Sequence, residues 1–456
     1  MEYEPLKFLK WYIIHLFARN LQRKNKLVPT QKALLIIFIS LFQIVLLSTL
    51  IALFPAKNFN FLIFTISFVL LQLISPFLIL IALFLTLPIQ IYFEIRLIKK
   101  AKAKLSKMQN MKIVAVAGSF GKTSTKNILY TLLWKDFIVV KTPKSFNTLI
   151  SIARTVVADI KPSTQVFIVE MDSYKNGDLS KLAKFVNPQI GIITAIGPAH
   201  LERFKTMDNL AEAQLELAEE IKDGTALLNI DDSWIVKTLN SKKIKAKTVF
   251  FGKNSSASYY ANSIKQKEEN LEFDLNHNHQ KIRIKLPLFG EHHIGNFLAA
   301  AAAANIIGVG FKRIQERGSL VLPTEHRLEI KKINGITFID NTYNTNPSVS
   351  ENALGVLKKQ KGGKKILITP GYVELGKESE KENMKLMEKA SKVADEIIVV
   401  GQNSRDILIR GLEKVKFPKQ KIHLAKDTKS ALNILFSIAK AADVALFEND
   451  LPDQYF

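Results

Sequence analysis

The 456-residue chain contains no cysteine, which excludes disulfides and thiolate-held metals and fits a reducing compartment. Acidic residues are also scarce: 41 stand against 64 Lys and Arg, a formal net charge of +23. Such a balance raises nucleic acid as a partner. The chain has neither a basic motif interleaved with aromatics nor zinc-finger spacing, so no nucleic-acid partner is expected. A small-residue cleavage site of the signal-peptide kind is missing as well, so the N-terminal region is expected to be retained.

What is present divides in two. Ala33 to Phe54 is a run of 22 uncharged, mostly apolar residues. As a helix it would be about 33 Å long, enough for a hydrocarbon core of about 30 Å. A second uncharged stretch, Asn58 to Phe93, contains Pro76 and Pro88. We read residues 1–110 as a membrane anchor with two transmembrane helices, 33–54 and about 61–87. Residues 1–110 hold 14 basic residues against 3 acidic ones, and they flank the apolar runs, whereas the connector Pro55 to Asn60 carries only Lys57. Positive-inside logic then predicts a multi-pass hairpin in the cytoplasmic (inner) membrane, with both ends, and so the domains after residue 110, in the cytoplasm. The basic flanks suit anionic membrane lipid. Residues 6–17 are too short to span and read as an interfacial amphipathic anchor.

From Met111 the texture becomes alternating strand and helix, the pattern of an α/β protein with helices covering parallel sheets. Expected strands are Lys112 to Ala117, Val166 to Glu170, Ile190 to Ala195 and Ala226 to Asn229, with a helix from Ser124 to Trp134. A second α/β unit begins after Pro323, with strands near Ile336 to Ile339, Lys365 to Thr369, Glu396 to Val400 and Val444 to Phe447. The polar stretch Phe250 to Pro287 reads as a small β excursion, and the alanine run 299–304 as close helix packing. The domains expected are 111–322, a central α/β unit, and 323–456, a C-terminal α/β unit.

The chemical signal lies in Gly118-Ser119-Phe120-Gly121-Lys122-Thr123, between an expected strand and helix. Backbone N–H groups of such a turn, with Ser124 opening the helix behind them, form an anion cradle. Lys122 would reach the β- and γ-phosphates of ATP, and the Thr123 hydroxyl would ligate magnesium. The loop is shorter than GxxxxGK[ST], because Val116 stands where that pattern has its first glycine. Glu170 ends an apolar strand, where a carboxylate is available to magnesium.

The loop GSFGKTSTK resembles that of the Mur ligases, which build the peptide stem of bacterial peptidoglycan. Further matches follow in order: VEMDSYKNGDL (169–179), TAIGPAHLERF (194–204), GEHHIGNFLAAAAA (290–303), EHRLE (325–329), DNTYNTNPSVS (340–350), PGYVELG (370–376) and ENDLPDQY (448–455). The 343–347 and 374–376 segments are most similar to the branch that adds D-alanyl-D-alanine to a tripeptide precursor. The resemblance implies a central P-loop ATPase-type parallel-sheet domain, a C-terminal Rossmann-like domain, and an ATP-dependent amide-bond ligase of cell-wall precursor synthesis. In such a ligase an acyl phosphate is attacked by an amino acid or dipeptide amine. It further implies His200 as a second magnesium ligand and catalytic group, Asn296 at the adenine, Arg327 at the phosphates and Asp340 at the ribose. Tyr343, Asn344 and Asn346 would shape the nucleotide and acceptor region. Lys122, His200 and Arg327 form the expected catalytic set.

Three departures from the family pattern stand out. Gln214 occupies the position of a lysine that many members carbamylate to hold a second magnesium, and an amide brings no negative charge. His292-His293 replaces a His-Asn pair. The hydrophobic region stands where the family has a domain gripping the uridine nucleotide end of its substrate. Two other readings follow: a Mur-type ligase acting on a lipid-linked or other membrane substrate, and a catalytically silent nucleotide-binding scaffold at the membrane.

Overall fold

The computed structural model describes residues 31–53, 60–198, 201–267, 270–343, 347–373 and 375–448, together with Leu9. The interfacial segment expected at 6–17 lies outside them apart from Leu9, as do His200, Asn344 and Asn346. The chain forms two compact units, 1–99 and 100–456.

In the first unit, helices run Gln31–Leu53, Phe61–Leu73 and, continuing past the unit boundary, Ser75–Ser106. Lys32–Leu53 and Ser75–Ser106 are long and apolar enough to cross a membrane. The second helix of that kind runs 75–106, whereas the sequence places a span at about 61–87. The chain turns at Ile74, which leaves a helix of 13 residues before a helix of 32. Pro76 accounts for the break: inside a continuous helix its ring would meet the carbonyl four residues back, whereas in a first turn its missing N–H costs nothing. Asn60 caps the short helix, its side chain accepting from Ile63 N at 3.1 Å. Ser40 and Ser48 donate to the carbonyls of Ile36 and Ile44, both at 2.8 Å, so their hydroxyls stay satisfied in an apolar setting. Large side chains such as Phe38, Phe42, Phe61 and Leu73 face outward.

The second unit contains two sheets. In the first, β1 (Lys112–Ala117), β2 (Val139–Lys141), β3 (Val166–Glu170), β4 (Ile190–Ile193), β5 (Thr225–Asn229), β6 (Lys247–Gly252), β7 (Tyr259–Gln266), β8 (Leu271–His277) and β9 (Gln280–Leu286) follow the order β2-β3-β1-β4-β5-β6-β7-β8-β9. Pairing is parallel from β2 to β7 and antiparallel through β8 and β9. The sheet is therefore mixed, with the polar 250–287 stretch supplying an antiparallel extension to a parallel core. β3 is buried along its whole length, as a strand covered on both faces must be. In register, Val114 lies between Ile168 of β3 and Ile190 of β4. The carboxyl ends of these three central strands open into the crevice where α/β sheets bind ligands.

The second sheet comprises β10 (Glu329–Ile333), β11 (Ile336–Asn341), β12 (Lys365–Thr369), β13 (Glu396–Val400), β14 (Ile422–Ala425) and β15 (Val444–Glu448), in the order β10-β11-β15-β12-β13-β14. All neighbours are parallel except β10 and β11. Those two join through Asn334-Gly335, with φ of 51° and 78°, a two-residue turn that matches strand twist. The two sheets fall on either side of residues 322 and 323. Residues 100–110 pack with the body: Ala101 is fully buried and Lys104 Nζ donates to the Val157 carbonyl at 2.9 Å.

The helix His292–Ile307 lies against the helix Lys122–Leu133 behind the phosphate loop. Ala299 to Ala304 are all fully buried beside Ile128, Leu129 and Leu132, so every face of that segment is covered and only a methyl group fits. Ala301→Leu is expected to destabilise the body by about 1–3 kcal/mol through overpacking, read as a lower midpoint in urea unfolding of the detergent-solubilised protein.

Candidate active site

A cleft of about 740 Å³ opens at the carboxyl ends of β1, β3 and β4, between the two sheets. Its floor is the turn from β1 into the helix Lys122–Leu133. Gly118 and Gly121 have φ of 131° and 81°, a region that side chains disfavour. A Cβ on Gly118 would lie 2.2 Å from Thr194 Oγ1, and one on Gly121 2.3 Å from Asn296 Oδ1. Both glycines are thus demanded by backbone shape and by neighbours.

Lys122 Nζ folds back to donate to the Gly118 carbonyl at 2.6 Å and pairs with Asp172 Oδ2 at 3.2 Å. One helical turn on, Lys126 Nζ meets Glu170 Oε2 at 2.8 Å, with both side chains about 1% exposed. Lys126 also donates to the Lys144 carbonyl. Burial holds the Lys126 ammonium below the usual lysine range, and Glu170 pulls it back up. Glu170, Asp172 and Ser124 line the cleft.

From the C-terminal lobe, Arg327 reaches across: its Nη2 donates to Thr123 Oγ1 at 3.2 Å, and its guanidinium stacks 4.3 Å from the Tyr343 ring centre. Burial lowers its pKa, opposed by Glu170 and Tyr343. His326 and Leu328 on either side adopt φ of 60° and 54°, a conformation non-glycine residues take at a cost. The buried Arg327 Nε and Ser119 Oγ have no hydrogen-bond partner among the described residues, as polar atoms awaiting a ligand would.

Asn296 lines the cleft beside Gly121 and accepts from Thr125 Oγ1 at 3.3 Å. His292 and His293 have ring centres 4.0 Å apart. Burial, with Arg327 adding to it, lowers the His292 pKa to about 4 and pushes His293 well below its usual value. Both rings are therefore neutral at pH 7. Asp340 does not line the cleft: its carboxylate meets His326 Nδ1 at 2.8 Å and takes bonds from Thr342 N at 3.1 Å and Oγ1 at 2.6 Å. Gln214 is buried, accepting from Gly118 N at 2.9 Å and donating to Ser173 Oγ at 3.1 Å. Among the described residues no group of three or more His, Cys, Asp or Glu side chains is arranged to hold a metal.

The structure thus gathers Gly118, Gly121, Lys122, Thr123, Ser124, Glu170, Asn296 and Arg327 around one crevice and leaves Asp340 at its edge. Sequence reasoning missed Lys126, Asp172 and Asp232. Asp232 Oδ2 accepts from Ile196 N at 2.7 Å, tying down the start of the segment leading to residue 200. Asp232 is kept above the usual carboxylate range by burial.

Residues 116–304 match the Mur ligase middle domain and residues 326–448 the Mur ligase glutamate ligase domain. Over 317 residues the chain is 30% identical to the UDP-N-acetylmuramoyl-tripeptide–D-alanyl-D-alanine ligase of Buchnera aphidicola, covering 68% of this chain and 67% of that enzyme. The chain belongs to the Mur ligase family. It is also 30% identical over 278 residues to the ligase of the same name from Bacillus subtilis, matching 60% of this chain and 59% of the length of that enzyme. The fold matches the MurF ligase of Thermotoga maritima, solved in complex with ADP, at a TM-score of 0.68 and 24% identity, covering 78% of this chain and 80% of that one.

Lys126→Ala would leave Glu170 buried without its partner. The expected cost is about 3–5 kcal/mol, and a thermal midpoint indistinguishable from wild type would refute the weight given to this pair.

Proposed function

We propose that the protein is an ATP-dependent amide-bond ligase of the MurF type, which joins a cell-wall precursor carboxylate to the amine of D-alanyl-D-alanine or a related amino acid or dipeptide. The observation that carries this reading is Arg327, delivered from one lobe to Thr123 in the phosphate loop of the other. A carboxylate does not condense with an amine in water. ATP first transfers its γ-phosphoryl group to the carboxylate oxygen with loss of ADP; the amine nitrogen then attacks the acyl carbon and phosphate leaves. The cleft has to hold the negative charge of the phosphates while that transfer occurs. Lys122, the Gly118–Gly121 backbone and Arg327 supply positive charge and N–H groups to do so.

Magnesium fits this cleft because Glu170 lines it and Thr123, hydrogen-bonded to Arg327, offers a second hard oxygen donor, while Ser119 Oγ and Arg327 Nε, without partners among the described residues, leave polar capacity for a phosphate-bearing ligand. Bound there, the ion would neutralise phosphate charge, with Glu170, Thr123 and the undescribed His200 as its protein ligands. Asn296 is the candidate adenine contact. For Asp340 and Asn344 a nucleotide role remains the family expectation.

The apolar helices give the proposal its second half: the body is carried on the cytoplasmic face of the inner membrane. Their outward-facing Phe and Leu side chains form apolar surface far beyond what a water-facing unit carries. The same feature favours a second reading, in which the precursor is lipid-linked. The silent-scaffold reading is disfavoured by the assembled cleft.

Lys122→Ala is expected to abolish ATP-dependent phosphate release with a muramoyl-tripeptide precursor and D-alanyl-D-alanine, and Arg327→Ala to lower kcat by about a hundredfold to a thousandfold. Wild-type rates in both would sink the ligase reading. Turnover on soluble against lipid-linked precursor separates the two substrates. Alkaline carbonate should leave the full chain in the membrane pellet and detergent should release it; recovery in the carbonate wash would refute the anchor.

A further inference from the structure

A hydrogen-bonded circuit around the phosphate loop begins and ends on one glycine. Gly118 N–H donates to Gln214 Oε1, and Gln214 Nε2 donates to Ser173 Oγ. Ser173 N–H holds Asp172 Oδ1 at 3.0 Å; Asp172 Oδ2 faces Lys122 Nζ at 3.2 Å; and that ammonium returns to the Gly118 carbonyl at 2.6 Å. The Lys122 and Asp172 side chains are each about 10% exposed, so the pair is largely shielded from water. Both ends of the Gln214 amide are engaged within the protein. It spaces the circuit and brings no charge to the cleft, and the charged group the circuit orients is Asp172.

Asp172 and Glu170 sit two residues apart where β3 runs out, and Met171 N–H still bonds to the Val116 carbonyl. Backbone of period two turns alternate side chains to the same side, and both carboxylates line the cleft. Their counter-charges differ. Glu170 keeps Lys126, which is about 1% exposed and does not line the cleft. Asp172 is matched by Lys122, the very ammonium assigned to the phosphates.

One ammonium does not hold a carboxylate and a phosphate chain at full strength together. When phosphates draw Lys122 away, Asp172 becomes an unpaired, shielded carboxylate beside further negative charge, a situation that a cation relieves.

We propose that Asp172 is an exchange ligand, which holds Lys122 in the nucleotide-free protein and takes the divalent cation that arrives with the phosphates. The proposal rests on the reading of the cleft as a site for ATP with magnesium, and adds to it a residue and an order of events. Metal and nucleotide become coupled through Lys122, since each step frees the partner of the other. It also supplies a negative charge near Gln214, where an amide supplies none.

The test is Asp172→Asn in the detergent-solubilised full chain, with ADP affinity measured by calorimetry in EDTA and in magnesium, and bound Mn²⁺ counted by electron paramagnetic resonance. Without metal, the variant should bind ADP about fivefold more tightly, because a group that competes for Lys122 and repels phosphate is gone. The gain in ADP affinity on adding magnesium should shrink by roughly tenfold, with Mn²⁺ in the ADP complex lost in parallel. A merely structural role would weaken ADP binding under both conditions, and that result overturns the proposal, as does an undiminished magnesium gain. If Asp172→Asn fails to fold, Asp172→Ser provides the same comparison. Wild-type protein that binds no ADP in either condition would instead overturn the ATP-ligase reading on which the proposal rests.

Discussion

Cations gathered to hold a phosphate chain repel one another, so a nucleotide-free cleft needs counter-charges of its own. Lys122 and Arg327 line the cleft here, with Lys126 buried one helical turn beyond Lys122, and the fold meets the requirement with matched periodicities. The two lysines stand one turn apart on a single helix, while Glu170 and Asp172 stand two residues apart at the end of a strand. Spacings of about 6 Å on a helix and about 7 Å along a strand are close enough for two ion pairs to form side by side. The position of β1 between β3 and β4 brings that helix over that strand end, and the alanine segment allows the backing helix to approach. Sheet order, helix packing and cleft charge therefore form one problem with one solution.

What was legible in the sequence was local. The apolar run 112–117, the glycine-bearing turn and the following helix announce themselves within some twenty residues, and Glu170 is visible as the carboxylate closing an apolar strand. The partners of those groups were not legible. Lys126 and Glu170 are 44 positions apart, and their meeting depends on β3 lying beside β1, which no local pattern encodes. β10 was missed because its Glu-Ile-Lys-Lys-Ile composition is that of an exposed edge strand, though the Asn-Gly pair after it is a hairpin signal. Pro76 marked the helix break at Ile74, but a split there into a third span would place one basic flank outside, so the sequence favours a single span.

Gln214 shows how a departure from a family pattern changes meaning once its surroundings are known. In the sequence it is a lost charge. In the structure it is a buried bracket between the phosphate loop and the segment after β3, with both amide functions used. His292 and His293 likewise read as a substitution in a motif; in three dimensions they are two neutral rings beside the cationic Arg327, where a protonated ring would be repelled.

The backbone around Arg327 has a consequence of its own. With His326 and Leu328 both held at positive φ, the arginine stands on a segment whose torsions are already committed before any ligand arrives. Holding those torsions costs about 1–3 kcal/mol per strained residue, met during folding by the surrounding structure. The lobe carrying this residue consequently presents to the cleft a side chain whose root is fixed in direction by its own backbone.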